Sequence, residues 1–235
     1  MHFVSVLTPT YNRRRFLPSL IECYKAQDYP LSSMEWIILD DGEDCVKDVF
    51  DGLALKGIPN VRYIRLQEKL LIGAKRNILN REAKGSILVA MDDDDFYSPK
   101  RVSHAVKKLT SSPLQVAGAS EIYLYYTDIK QIYKLGPYGE THATNGTMAW
   151  KKEYANSHSY DETVAFAEER SFLSNYTTQV IQLDPFQVML VMSHSDNTYN
   201  KKHMREGKNP FVKLSALKLN QFIKSSALRA FYESA

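Results

Sequence analysis

Ser86-Ile87-Leu88-Val89-Ala90-Met91-Asp92-Asp93-Asp94-Asp95 is the stretch on which the fold turns. Its unbroken apolar run reads as a strand buried on both faces, and such strands belong to parallel sheets covered by helices. Four carboxylates follow immediately. In a confined place they repel one another, and a cation is the simplest way for a fold to tolerate them. Their hard oxygens suit Mg²⁺, Mn²⁺ or Ca²⁺. The plainer alternative is a solvated acidic loop that caps a helix beginning near Pro99.

Working outward, residues 3–7, 36–39 and 61–66 read as further strands. Residues 15–27 and 71–82 have apolar positions at helical spacing, the second closed by Gly85. Strand and helix alternating in this way call for an α/β fold with a mostly parallel central sheet and helices on both faces. Sheets of that kind bind ligands beyond the carboxyl ends of their strands. Beyond residue 99 a helix to 109, strands at 122–126 and 131–135, a helix over 164–175 and a strand over 188–192 are expected. The last 25 residues are expected to be amphipathic helix. The chain therefore reads as one domain over residues 1–200, with a nucleotide-binding half to 110 and an acceptor-binding half after it, followed by a basic helical extension over 201–235.

The 235 residues are 44% hydrophobic and 24% charged, which excludes a disordered, collagenous or coiled-coil chain. The net charge of +3 is a tail feature, because residues 201–235 carry eight Lys/Arg against two acids. That tail is read either as attraction to an anionic surface or as a packing or oligomerising helix, and a homodimer through it is one expectation. Cys23 and Cys45 have no partner spacing for zinc or a disulfide framework. With no secretory signal at the start and no bilayer-spanning run, a cytoplasmic setting is expected.

Other strand ends carry polar groups too: Thr8 to Arg13, Asp40-Asp41-Gly42 and Ser193-His194. A parallel sheet puts the first two on the same edge as the acidic run, and Lys75 and Arg76 add cations suited to phosphate. Together they read as a nucleotide-diphosphate site. The combination of Pro9-Thr10-Tyr11-Asn12-Arg13, Leu39-Asp40-Asp41-Gly42, Gly73-Ala74-Lys75-Arg76-Asn77, Asp92 to Asp95 with Pro99, and Ala167-Glu168-Glu169 resembles a family 2 glycosyltransferase with the GT-A fold, over about residues 3 to 175.

The resemblance implies an inverting, metal-dependent enzyme that moves one sugar from a UDP-sugar to a hydroxyl on a glycan, lipid or protein, with no nucleic-acid partner. Thr8, Tyr11 and Asp40 match positions that hold the uracil, with Asp41 as the alternative to Asp40, and Arg76 matches one near the diphosphate. Asp92, Asp93 and Asp94 align with a DxD-type motif whose first acid meets the ribose and whose last meets the metal. Asp94 is thus the expected metal ligand, with His194 a second candidate that tilts the ion from Mg²⁺ towards Mn²⁺. Glu169 is the expected catalytic base and Glu168 its support, although a glutamate stands at the second position where the family usually has aspartate. Trp150 is a candidate to flank the acceptor, whereas the tyrosines between 123 and 138 mostly suit a half-buried strand. Asn145-Gly146-Thr147 and Asn175-Tyr176-Thr177 fit a glycosylation sequon by chance. The Gln-x-x-Arg-Trp signature of chain-polymerising relatives is absent, which implies one sugar per encounter. Two rivals remain: a sugar-nucleotide pyrophosphorylase, whose glycine-rich loop is missing between Thr8 and Arg15, and a non-catalytic glycan- or nucleotide-binding scaffold.

Overall fold

The computed structural model describes residues 1–197, 199 and 201–235. Strands β1 (Val4–Thr10), β2 (Met34–Asp40), β3 (Val61–Arg65) and β4 (Ile87–Ala90) alternate with helices α1 (Leu17–Lys25), α2 (Lys47–Phe50) and α3 (Ile72–Glu82). They are followed by β5 (Phe96–Tyr97), α4 (Arg101–Thr110), β6 (Val116–Gly118), β7 (Ile122–Tyr126), β8 (Gln131–Leu135), β9 (Ala149–Lys151), α5 (Lys152–Ser157), α6 (Glu169–Phe172), β10 (Val180–Gln182) and β11 (Met189–Ser193). The chain ends through α7 (Lys202–Glu206), β12 (Val212–Leu214), α8 (Leu219–Phe222) and α9 (Ser226–Ser234).

A seven-stranded sheet runs in the order β10-β6-β9-β4-β1-β2-β3, and a five-stranded sheet in the order β12-β8-β7-β11-β5. In the larger sheet β4, β1, β2 and β3 are mutually parallel, and β9 alone runs against its neighbours β4 and β6. The apolar runs explain the burial on both faces, because side chains alternate across a strand. Val4, Val6, Trp36, Ile38, Ile87 and Val89 enter one core cluster, whereas Leu7, Ile37, Leu39, Leu88 and Ala90 enter the other.

Several boundaries differ from the sequence reading. Helix α3 is capped at Ala83 rather than by Gly85, and α4 begins at Arg101 with Pro99 left outside. The helix expected over 164–175 shrinks to the single turn of α6, because the backbone enters the left-handed region at Ala167 (φ 54°) and again at Ser174, Asn175 and Tyr176. A right-handed helix cannot pass through such residues. The expected C-terminal helix is interrupted as well: β12 joins β8, and only α8 and α9 are helical beyond it. Leu219, Ile223 and Tyr232 sink into the same core as β1 and β2, so the tail packs on the domain. Trp150 is buried against Phe172 and Tyr160 rather than facing an acceptor, since it lies in a strand covered on both sides.

Candidate active site

The register of β1 with β2 pairs Thr10 with Asp40, and that of β1 with β4 pairs Leu7 with Ala90. Three polar strand ends therefore share one edge, as a parallel arrangement requires. Thr8 is sealed beneath that edge, where its hydroxyl donates to the Met91 carbonyl at 2.7 Å and accepts from Trp36 Nε1 at 2.9 Å. It so braces the start of the acidic run from beneath. Asp40 is also buried, accepting from Gly42 N at 2.8 Å and Val46 N at 3.2 Å, from Tyr63, and pairing with Arg65 at 3.1 Å. Gly42 is required there by space: a Cβ would stand 2.6 Å from Asn12 N. Asp41 accepts from Leu70 N and Lys75, each at 2.8 Å. Tyr11 is left as the partly exposed wall, with Lys69 4.1 Å from its ring centre and Lys75 5.8 Å away.

The four aspartates are treated individually. Asp92 is gripped by both terminal nitrogens of Arg76, at 3.0 and 3.3 Å. Asp93 is buried, and desolvation together with the neighbouring Asp94 pushes its carboxyl well above the usual range. Asp95 accepts from Met192 N at 2.7 Å, yet burial still lifts it to about 8. Asp94 is opposite in sign: against the cost of burial, a His194 hydrogen bond and the charges of Lys201 and Arg13 hold it below the carboxylate range. Cationic partners thus meet the repulsion at Asp92 and Asp94, while burial raises Asp93 and Asp95.

His194 Nε2 lies 3.1 Å from Asp94 Oδ2, and Asn197 donates to the same oxygen at 3.1 Å. The other ring nitrogen, Nδ1, accepts from Asp196 N at 3.2 Å, and the ring packs 4.4 Å from Phe16. Nε2 also lies 3.0 Å from the Asn197 amide nitrogen. The structure thus brings together the two side chains expected at the metal, Asp94 and His194. Among the described residues no three histidine, cysteine or carboxylate side chains converge into a ready-made cage. Asp94 by itself suits a hard cation that arrives with phosphate oxygens and water, which is how Mg²⁺ is ordinarily held.

The second half is brought in by α3. A Cβ on Gly73 would stand 1.9 Å from the Asp161 carbonyl oxygen, so only glycine lets the helix abut this loop. Asn77 then donates to the Tyr160 carbonyl and to Glu162, and accepts from Tyr160 N, all at 2.9 Å. One turn along, Arg76 Nε donates to Glu168 at 2.7 Å while its other nitrogens hold Asp92. A single guanidinium so ties the Glu168-Glu169 pair to the acidic run. Asn145, missed by the sequon reading, is buried beside it. With its carbonyl towards Arg76 it lies 2.8 to 3.1 Å from the guanidinium nitrogens, and its amide nitrogen 2.8 Å from the Tyr160 hydroxyl. Arg13 was likewise given no role, although it stands 3.8 Å from Asp94.

Glu169 makes no such ion pair among the described residues. Burial and the adjacent Glu168 raise its carboxyl to about 7, and the Tyr176 hydroxyl lies 3.4 Å away. A carboxyl poised there accepts a proton near neutral pH.

The family model described as "Glycosyl transferase family 2" matches residues 5–172. The putative colanic acid biosynthesis glycosyl transferase WcaA of Escherichia coli is 30% identical over 100 residues, 43% of this chain and 35% of that one. The poly(ribitol-phosphate) β-N-acetylglucosaminyltransferase TarS of Staphylococcus aureus is 25% identical over 103 residues, 43% of this chain and 18% of its own. The chain thus spans a minor part of these curated relatives. Among solved structures, TarS 1–349 in complex with UDP-GlcNAc aligns with a TM-score of 0.66 at 17% identity, covering 88% of this chain and 61% of that one. The mannosyltransferase PcManGT from Pyrobaculum calidifontis, in complex with GDP-Man and Mn²⁺, aligns with a TM-score of 0.67 at 16% identity, covering 89% and 66%.

Proposed function

The chain belongs to glycosyl transferase family 2 and is a glycosyltransferase with the GT-A fold, and from that premise we propose that it moves one sugar from a UDP-sugar to an acceptor hydroxyl with inversion and with the help of a divalent cation. The observation that carries the reading is Arg76, which ties Glu168 to Asp92 and so fixes the segment that carries Glu169 against the acidic run that carries Asp94. The solved relatives bound to UDP-GlcNAc or to GDP-Man with Mn²⁺ support a nucleotide-sugar donor of this kind.

In this reading Tyr11 flanks the base, and Asp40 and Asp41 hold the wall around it. Asp92 faces the ribose, Asp93 shapes the turn, and Asp94, aligned by His194 and Asn197, holds the cation. When bound, Mg²⁺ or Mn²⁺ supplies positive charge against the diphosphate as it leaves. Glu169 takes the acceptor proton as the hydroxyl attacks the anomeric carbon from the face opposite the diphosphate, while Glu168 stays locked to Arg76. The acceptor and the identity of the sugar belong to the same proposal, as does work outside a membrane. No helix among the described residues is long and apolar enough to cross one.

Glu169→Gln should leave UDP affinity unchanged in calorimetry and lower UDP release from a UDP-sugar with acceptor by roughly 10²–10⁴-fold, the usual worth of a general base. Near-normal transfer would move the base elsewhere. UDP binding without turnover by the native chain would favour the scaffold, and diphosphate formed from a sugar phosphate and UTP would favour the pyrophosphorylase.

A further inference from the structure

Phe166 is 64% exposed and Tyr199 47% exposed, and their ring centres lie 5.9 Å apart. Neither ring belongs to a core cluster, so folding draws little stability from them. Their positions are not arbitrary, because a closed circuit of contacts runs between them. Two residues after Phe166, Glu168 accepts from Arg76, which grips Asp92. Two residues further, Asp94 accepts from Asn197, and Tyr199 lies two residues beyond that. The aromatic contact closes the ring. Asp94 lies on this circuit and Glu169 is next in sequence to its Glu168, and the rings form its clasp.

We propose that Phe166 and Tyr199 form the seat of the acceptor, and that the group seated there is an uncharged sugar ring. The inference rests on the glycosyltransferase reading above and names its acceptor class. An aromatic face is electron-rich and attracts the C–H face of a pyranose. The pair is too small to cover an acyl chain, and its loops carry exposed carboxylates at Asp161, Glu162 and Asp196. Carboxylates accept from sugar hydroxyls and repel anionic acceptors. Asp196 also pairs with Arg15 at 2.9 Å, which fixes its carboxylate at this edge.

The test is saturation-transfer NMR on the full chain, with methyl β-glucoside, methyl β-galactoside and methyl α-mannoside as probes, UDP as a control and decyl phosphate as the lipid-like probe. Wild type should pass saturation to the ring hydrogens of at least one glycoside. In F166A/Y199A that signal should fall by about fivefold or more, which corresponds to the loss of one aromatic contact, with the UDP signal retained. Phe166→Leu with Tyr199→Leu controls for fold, since it keeps apolar bulk and removes only the rings; it should behave like the alanine pair. Glycoside signals equal in wild type and variants, or absent while UDP binds, would overturn the seat. Decyl phosphate bound through these rings in place of the glycosides would overturn its sugar class. A missing UDP signal beside a glycoside signal that vanishes in F166A/Y199A would sink the donor reading and support the seat.

Discussion

At the scale of single residues, what distinguishes the site is the unequal treatment of neighbouring carboxyls. Glu169 is raised to about 7 by burial and by Glu168, whereas Asp94 is held down by His194, Lys201 and Arg13. The groups that bear on Glu169 are Glu168, Arg76, Tyr176 and Tyr160. Transfer should rise about tenfold per pH unit below about 7 and level off above it, because only the ionised carboxylate accepts a proton. A rate flat from about pH 5 to pH 8 would exclude Glu169 as the base. The stability consequence has the opposite sense. Folding raises the pKa of Glu169, so its stabilising contribution is complete below the ordinary value of 4.5 and is lost as pH climbs through about 7. Melting curves of Glu169→Gln and wild type should therefore diverge in favour of the variant above pH 7. His194→Ala is expected to weaken cation-dependent UDP binding by about tenfold, the size of a lost charge-assisted hydrogen bond. A complete loss of the cation response would instead point to His194 as a direct ligand.

At the scale of elements, α3 organises the active site. It abuts the loop at Asp161 through Gly73, fixes Tyr160 and Glu162 through Asn77, and projects Arg76 between the two acidic segments. Gly73→Ala places a methyl against a backbone carbonyl, which cannot move as the end of a side chain can. Overpacking of this kind costs about 1–3 kcal/mol. Transfer should fall more than UDP affinity, because Asp41 and Tyr11 are met by Lys75, two helical positions from Gly73 and so on another face of α3. Equal losses in both would show that the helix shifts as a whole. The motif Gly73 to Asn77 was legible as a segment, but its use was not: periodicity shows that a helix forms, and only the packed partner reveals which residue must be small.

At the scale of the whole molecule, the segment beyond the matched family stretch closes over the acidic loop. The Tyr232 hydroxyl donates to the Asp95 carbonyl at 3.0 Å, and Phe231 stands edge-on to Phe16, which packs on His194. Tyr232→Phe should lower Tm by about 2–4 °C, the equivalent of about 1 kcal/mol for a chain of this size. An unchanged Tm would mean that the hydroxyl is replaced by other partners.

The parallel sheet, the shared edge of its strand ends and the acidic run were determined by local patterns: apolar continuity, helical spacing and a block of like charge are written in neighbouring residues. How burial and partners treat each carboxyl, which groups meet His194, and which aromatic rings stay exposed were decided only by the tertiary structure. Those properties depend on groups such as Asp196, Arg76 and Tyr199, far from their partners in the chain, and no local pattern carries the desolvation and hydrogen bonding that they impose.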